Sequence, residues 1–223
     1  MPKRLPKVLT EAEVQALWAG SHGEAPTCVR NRAMLAVMLG AGLRVAELVA
    51  LAVQDVDLTE GMVRVCNGKG SRDRVVPIGA ETVRHLGVWL QARGLVAAPA
   101  VFVSLHHGKH RGQGMTTRNV QQWLACLAER AGLPRRVTPH MLRHTYATTM
   151  LRRGLDLREV QTLLGHSSVA TTEIYTHVDP VRLRDRVRGL GMGAAPAVET
   201  RLGDLERQVG ELKALVLDLA GTS

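Results

Sequence analysis

The stretch "MVRVCNGKGSRDRVVPI", Met62–Ile78, decides the fold class. Two β-branched runs, "MVRVC" and "RVVPI", flank "NGKGSRD", whose glycines and asparagine suit a tight turn and whose lysine and arginine make the tip basic. This reads as a β-hairpin. Most of the remaining apolar segments run at helical spacing, so the chain is expected to be mainly α with a small antiparallel β-sheet, an α+β protein.

Upstream, "RNRAMLAVMLGAGLRVAELVAL" is helical in period but interrupted by Gly40 and Gly42, and the break is expected to put Leu43 and Arg44 at the start of a new helix. Thr10 and Glu13 in "LTEAEVQALW" form a capping box, each side chain satisfying an orphan amide, which starts a helix at residue 11 and leaves 1–9 as an N-terminal arm. Downstream, helices are expected over roughly 80–92 and 117–131. Between them lie a short strand at "VFV" and a loop rich in histidine and glycine, "SLHHGKHRGQG". Thr138 as N-cap and Pro139 at the first helical position begin "HMLRHTYATTMLRR", which Gly154 ends. "DLREVQTLLG" and "SVATTEIYT" predict two short helices, followed by another near 180–189.

The main body therefore spans 10–190, with "GMGAAPA" (191–197) as linker. Beyond it a heptad repeat runs over 198–219, with Leu202, Val209 and Val216 at a and Val198, Leu205, Leu212 and Leu219 at d. β-Branched a positions with leucine at d favour a parallel dimer, whereas Gly203 and Gly210 each weaken the helix by about 1 kcal/mol. The alternative is docking of this short helix on its own body.

Composition narrows the function classes. The net charge of +9 and pI of 10.3 point to a polyanionic partner. Residues 198–223 hold five of the 20 acids and three of the 29 bases, leaving 15 acids and 26 bases, a net +11, on 1–197. Aromatic residues make up only 3% of the chain, which disfavours a base-stacking surface for single strands. Cys28, Cys66 and Cys126 form no CxxC pair and encode neither a disulfide framework nor a zinc knuckle. No apolar run approaches the ~20 residues of a membrane span, and "MPKRLPKVLT" lacks a signal core, so a cytoplasmic protein is expected.

In "TPHMLRHTYA", His140 and Arg143 stand three apart on one helix and can converge on one anion. His144, four residues after His140, raises a zinc alternative. The zincin pattern, however, needs glutamate where Met141 stands, and no metal or cofactor is expected. Arg44 after the glycine break and Lys69 at the hairpin tip are further positive groups suited to an anion site. Taken singly each has a structural explanation: a solvated helix-start arginine, a lysine that discourages edge pairing, a core histidine. The weight rests on the set.

That set resembles the tyrosine recombinase (phage integrase) family, most closely its Xer-like members, over about residues 8–190. The matching residues are Arg44 in "GAGLRVAEL", Lys69 in "NGKGSRDRVVPI", His140 and Arg143 in "HMLRHTYAT", His166 in "LLGHSS" and Tyr175 in "TTEIYTHV". The resemblance implies that fold, with the heptad helix appended, and a site-specific DNA recombinase. Tyr175 would attack a phosphodiester to form a 3′-phosphotyrosyl bond, and Arg44 and Arg143 would stabilise the pentavalent transition state. His166 would donate to the same phosphate, His140 would assist proton transfer from Tyr175, and Lys69 would protonate the departing 5′ oxygen. Because the ester is exchanged and not hydrolysed, neither ATP nor a metal is called for. Glu47, one turn after Arg44, matches the family's supporting acid, although helix packing or a surface salt bridge would also account for it.

The implied partners are double-stranded DNA and other copies of the chain, as a tetramer on two DNA sites, with 198–219 aiding assembly as a coiled coil. Two alternatives share these features: a type IB topoisomerase-like relaxing activity and a non-catalytic DNA-binding accessory protein derived from a recombinase. Relatives commonly carry a helical core-binding domain before the catalytic one, and here the resemblance begins almost at Met1. That domain is therefore expected to be absent, whether the chain is a fragment or akin to the short recombinases that invert promoters. Tyr146, in "HTYATT", is expected to pack, and His177 matches no catalytic position.

Overall fold

Local signals set most of the helix boundaries. The structure, a computed structural model, describes residues 8–66, 73–105 and 109–165 together with Leu183 and Val187. The chain divides into two units, Met1–Met192 and Gly193–Ser223, and all the described residues belong to the first. Its helices are α1 (Glu11–Gly20), α2 (Pro26–Ala41), α3 (Val45–Ala50), α4 (Ala80–Arg93), α5 (Thr117–Arg130), α6 (Pro139–Arg152) and α7 (Leu157–Leu164). The capping box of α1 forms as expected. The Thr10 hydroxyl accepts from the Glu13 N–H at 3.2 Å and the Glu13 carboxylate accepts from the Thr10 N–H at 2.8 Å. Thr138 caps α6 through the Met141 N–H, and Asp156 and Glu159 cap α7 reciprocally.

The core forms around α2. Ala33 to Leu39 are essentially without solvent exposure, as befits a helix that is apolar on nearly every side, and α4 and α6 pack against it. Only one of the two glycines interrupts the chain here. Gly40 lies inside α2, where a Cβ would overlap the Thr82 hydroxyl, so this glycine serves the close approach of α2 and α4. Gly42 makes the break: it is left-handed, φ 61°, and a Cβ there would run into the ring of Tyr146. Tyr146 itself is fully buried and packs, as expected.

The hairpin consists of β2 (Met62–Val65) and β3 (Arg74–Pro77), with Val63 opposite Val76 and Val65 opposite Arg74. A short strand that the sequence pattern did not predict, β1 (Val56–Asp57), pairs with the other side of β2, giving a three-stranded antiparallel sheet in the order β1-β2-β3. Among the described residues β3 is an edge strand, a position that tolerates Pro77.

The expected strand at "VFV" is replaced by two isolated bridges, Ala52 to Ala100 and Val103 to Gly114. Their partners come from different segments, so no ladder can propagate. Val101, Phe102 and Val103 are nevertheless fully buried, and the Val101 carbonyl accepts the Trp89 indole N–H at 2.9 Å.

The end of the N-terminal arm is tied to the body. The Leu9 N–H donates to Thr145 Oγ1 at 3.0 Å, and the Val8 carbonyl accepts from Arg135 at 2.9 Å. Leu183 and Val187, four apart in the helix expected near 180–189, are helical and buried. The hairpin tip, the helix expected at "SVATTEIYT" and the 198–219 heptads lie outside the described residues.

Candidate active site

Three segments, the start of α3, β3 and α6, converge on the carboxylate of Glu47, and the end of α7 holds two of their arginines. The left-handed turn at Gly42 delivers Arg44, in extended conformation, to the N-cap of α3, which places Glu47 at the third helical position. From there Glu47 Oε2 accepts the Arg44 backbone N–H at 2.8 Å and Oε1 accepts Arg44 Nη1 at 2.9 Å. Arg74, the first residue of β3, closes a two-pronged ion pair on the same carboxylate. Its Nη1 donates to Oε1 at 2.9 Å and its Nη2 to Oε2 at 2.8 Å. The Nε of Arg74 donates to the Leu163 carbonyl near the end of α7, also at 2.9 Å.

Arg143 enters from α6. Its Nη1 donates to the Gly42 carbonyl at 2.7 Å and its Nη2 to the Leu164 carbonyl at 2.6 Å. It lies 3.9 Å from Glu47 Oε2, a loose contact beside the direct bonds of Arg74. Three guanidiniums thus surround one carboxylate, a local excess of two positive charges. The Arg44 side chain is 42% exposed, whereas those of Arg74, Arg143 and Glu47 are below 10%. Arg44 faces solvent, and Arg143 stands behind it.

The electrostatics follow from that burial. Desolvation works to raise the Glu47 carboxyl, but the bonds from Arg74 and Arg44 outweigh it and hold the group below its ordinary value. Burial, reinforced by the charge of Arg44, pushes the Arg143 guanidinium down to about 10, with Glu47 only partly offsetting it. A buried cation whose charge is so poorly compensated gains when an anion arrives. Burial likewise pushes the Tyr146 hydroxyl upward, against the pull of Arg74 and Arg143, which makes it a poor nucleophile.

The structure therefore brings Arg44, Glu47 and Arg143 together. His140 is exposed at the start of α6, one turn before Arg143, and His144, the residue after Arg143, is exposed as well. Lys69, His166 and Tyr175 lie outside the described residues. Arg74 was missed by sequence reasoning, although a signal existed. With Val76 inward and Val75 outward on β3, period two turns Arg74 inward as well, and a charge on the buried side of a strand must find a partner.

Comparison with known proteins identifies the family. The model of the phage integrase family matches residues 7–182. This chain belongs to the phage integrase family. Among related members, the tyrosine recombinase XerD of Ralstonia nicotianae is 45% identical over 192 residues, covering 82% of this chain and 59% of that protein. The tyrosine recombinase XerD of Pseudomonas aeruginosa is 44% identical over 188 residues, covering 82% and 61%. This integrase-family chain spans about three-fifths of the length of these relatives. Among solved structures, XerA recombinase superposes with a TM-score of 0.67 at 38% identity, covering 82% of this chain and 65% of XerA. XerH site-specific recombinase, in a pre-cleavage complex with its difH substrate, superposes with a TM-score of 0.63 at 27% identity, covering 75% and 50%. The fold is that of the tyrosine recombinase catalytic domain, mainly helical with a small antiparallel sheet.

Proposed function

We propose that this chain is the catalytic part of a tyrosine-class site-specific DNA recombinase. It cuts and rejoins double-stranded DNA by transesterification through a 3′-phosphotyrosyl intermediate, achieving integration, excision, inversion or resolution. The observation that carries this reading is the Arg44–Glu47–Arg143 cluster, a hydrogen-bonded group of excess positive charge with one arginine open to solvent and one buried. Such preorganised donors are suited to the charge that develops on the non-bridging oxygens of a phosphodiester under attack. The XerH complexes, pre- and post-cleavage, support a DNA site as the substrate.

In this reading Tyr175 Oη bonds to phosphorus as the bond to the 5′ oxygen breaks. His140 helps to remove the tyrosine proton, Lys69 returns one to the leaving oxygen, and His166 donates to the phosphate. The reversed exchange rejoins the strands without metal or nucleotide. The +11 body supplies salt-sensitive phosphate contacts, and assembly is as a tetramer on two DNA sites in the cytoplasm, with 198–219 aiding self-association.

The test is to trap a detergent-resistant protein–DNA adduct on nicked duplexes drawn from the DNA flanking the gene. The expected result is an adduct that Tyr175→Phe abolishes. Undiminished trapping by that variant removes Tyr175 as nucleophile, and salt-dependent binding without any adduct favours a non-catalytic DNA-binding protein. If deletion of 198–219 leaves sedimentation and two-site recombination unchanged, the assembly role falls.

A further inference from the structure

We propose that Arg74 is a positioning residue that neutralises Glu47, so that Arg44 and Arg143 keep their positive charge for the phosphate. The inference rests on the recombinase reading above and adds to it a residue that sequence motifs did not single out.

The charge count around Glu47 carries the proposal. Arg44 donates to the carboxylate through its backbone N–H and through Nη1, and Arg143 Nη1 lies 3.9 Å from it. With only these two arginines present, Glu47 would compete with an incoming phosphate for both of them. Arg74 lessens that competition, even though Arg44 Nη1 keeps its own bond to Oε1. It takes both oxygens in a fork, the strongest geometry open to a carboxylate, and it does so with its side chain only 9% exposed, where charge pairing is weakly screened. The buried Arg74–Glu47 pair is neutral as a unit. The two remaining guanidiniums then stand against it with their charge uncancelled.

The remaining donor of Arg74 fixes where this pairing happens. Its Nε bond to the Leu163 carbonyl joins β3, which follows the Lys69 tip in the chain, to the end of α7, which precedes His166. Arg143 holds the neighbouring Leu164 carbonyl, so two arginines grip consecutive carbonyls at this helix end. Gly165, left-handed at φ 64°, makes room for the grip. A Cβ there would lie 2.9 Å from Arg74 Cδ and Nη1, closer than packed atoms come.

The test uses the full chain and, as first probe, inorganic phosphate, whose affinity reports the cluster whether or not DNA is cut. Arg74→Gln is expected to weaken phosphate binding about tenfold in calorimetric titration, because Glu47 then neutralises Arg44. The double variant Arg74→Gln/Glu47→Gln, which removes both charges of the pair, is expected to recover affinity to within about threefold of the parent. A purely structural role predicts no such rescue. Arg74→Lys, which keeps the charge but not the fork, should fall between the parent and Arg74→Gln. Covalent adduct formation on nicked duplexes should follow the same order. Unchanged phosphate affinity in Arg74→Gln overturns the proposal, as does a double variant no better than the single one. If the phosphate pattern is as expected but the parent forms no adduct, the recombinase reading falls and Arg74 remains the positioning residue of an anion site. If the parent forms the adduct but Arg74→Gln binds phosphate as the parent does, the recombinase reading stands and the role of Arg74 falls.

Discussion

Two places in the molecule use the same local device to different ends. At the start of α1, Glu13 at the third helical position accepts the N-cap N–H of Thr10 and a fork from the distant Arg135, at 3.0 and 2.8 Å. At the start of α3, Glu47 at the same position accepts the N-cap N–H of Arg44 and a fork from the distant Arg74. The first pair is partly open to water, with side-chain exposures of 17% and 28%, and has a neutral threonine as cap. One acid meets one base, and the result is a pin that holds the arm against the body. The second pair is below 10% exposed, its cap is an arginine, and a third arginine stands nearby. The same geometry there leaves positive charge over. What separates the structural pin from the proposed anion site is the number of cations the surrounding elements contribute, and their burial.

Loss of the buried pair should cost most. Glu47→Ala strands Arg74 and Arg143 in a dry setting and is expected to destabilise the fold by about 3 kcal/mol in denaturant unfolding. Next comes the turn that delivers Arg44. Gly42→Ala combines a left-handed backbone with overlap on Tyr146, and a loss of roughly 2–3 kcal/mol is expected in the same measurement. The exposed member should matter less. Glu13→Gln should lower stability by about 1 kcal/mol or less, since water screens the pair, and leave phosphate affinity unchanged.

The pH dependence sharpens the contrast. Arg135 above all holds Glu13 down, and Glu47 is held down in spite of its burial, so both carboxyls sit below the ordinary value of 4.5 when folded. The unfolded chain therefore takes up protons first. The stability these groups contribute is complete above about pH 4.5 and is lost as the pH falls through their folded-state values. Acid titration of unfolding should be flatter in Glu47→Gln than in the parent. The smallest effect is expected at the exposed face of β3, where Val75→Thr should shift stability by no more than about 0.5 kcal/mol.

Much of this protein was legible along the chain, because the signals concerned act within a turn or two. Thr10 with Glu13, Thr138 with Pro139, and Gly154 each mark a helix end through groups at most a few residues apart. The alternation in "MVRVC" and "RVVPI" marks the hairpin for the same reason. The family resemblance picked out Arg44, Arg143 and Glu47, and the fold brings those three together.

The sequence pattern erred where the deciding contact is distant. Whether Gly40 or Gly42 ends α2 depends on Thr82 and Tyr146, and whether "VFV" becomes a strand depends on Ala52 and Gly114. Arg74 could be placed on the inward face of β3 by period alone, yet its partners are 27 and 89 residues away, and Arg143 reaches a carbonyl 101 residues away. By itself the sequence determined the helices of the body, the hairpin and their order, and the residue types of the proposed phosphate site. Tertiary packing alone decided which arginine neutralises Glu47 and which are left charged, because ion-pair strength depends on separation and water exclusion, and neither exists until the segments meet.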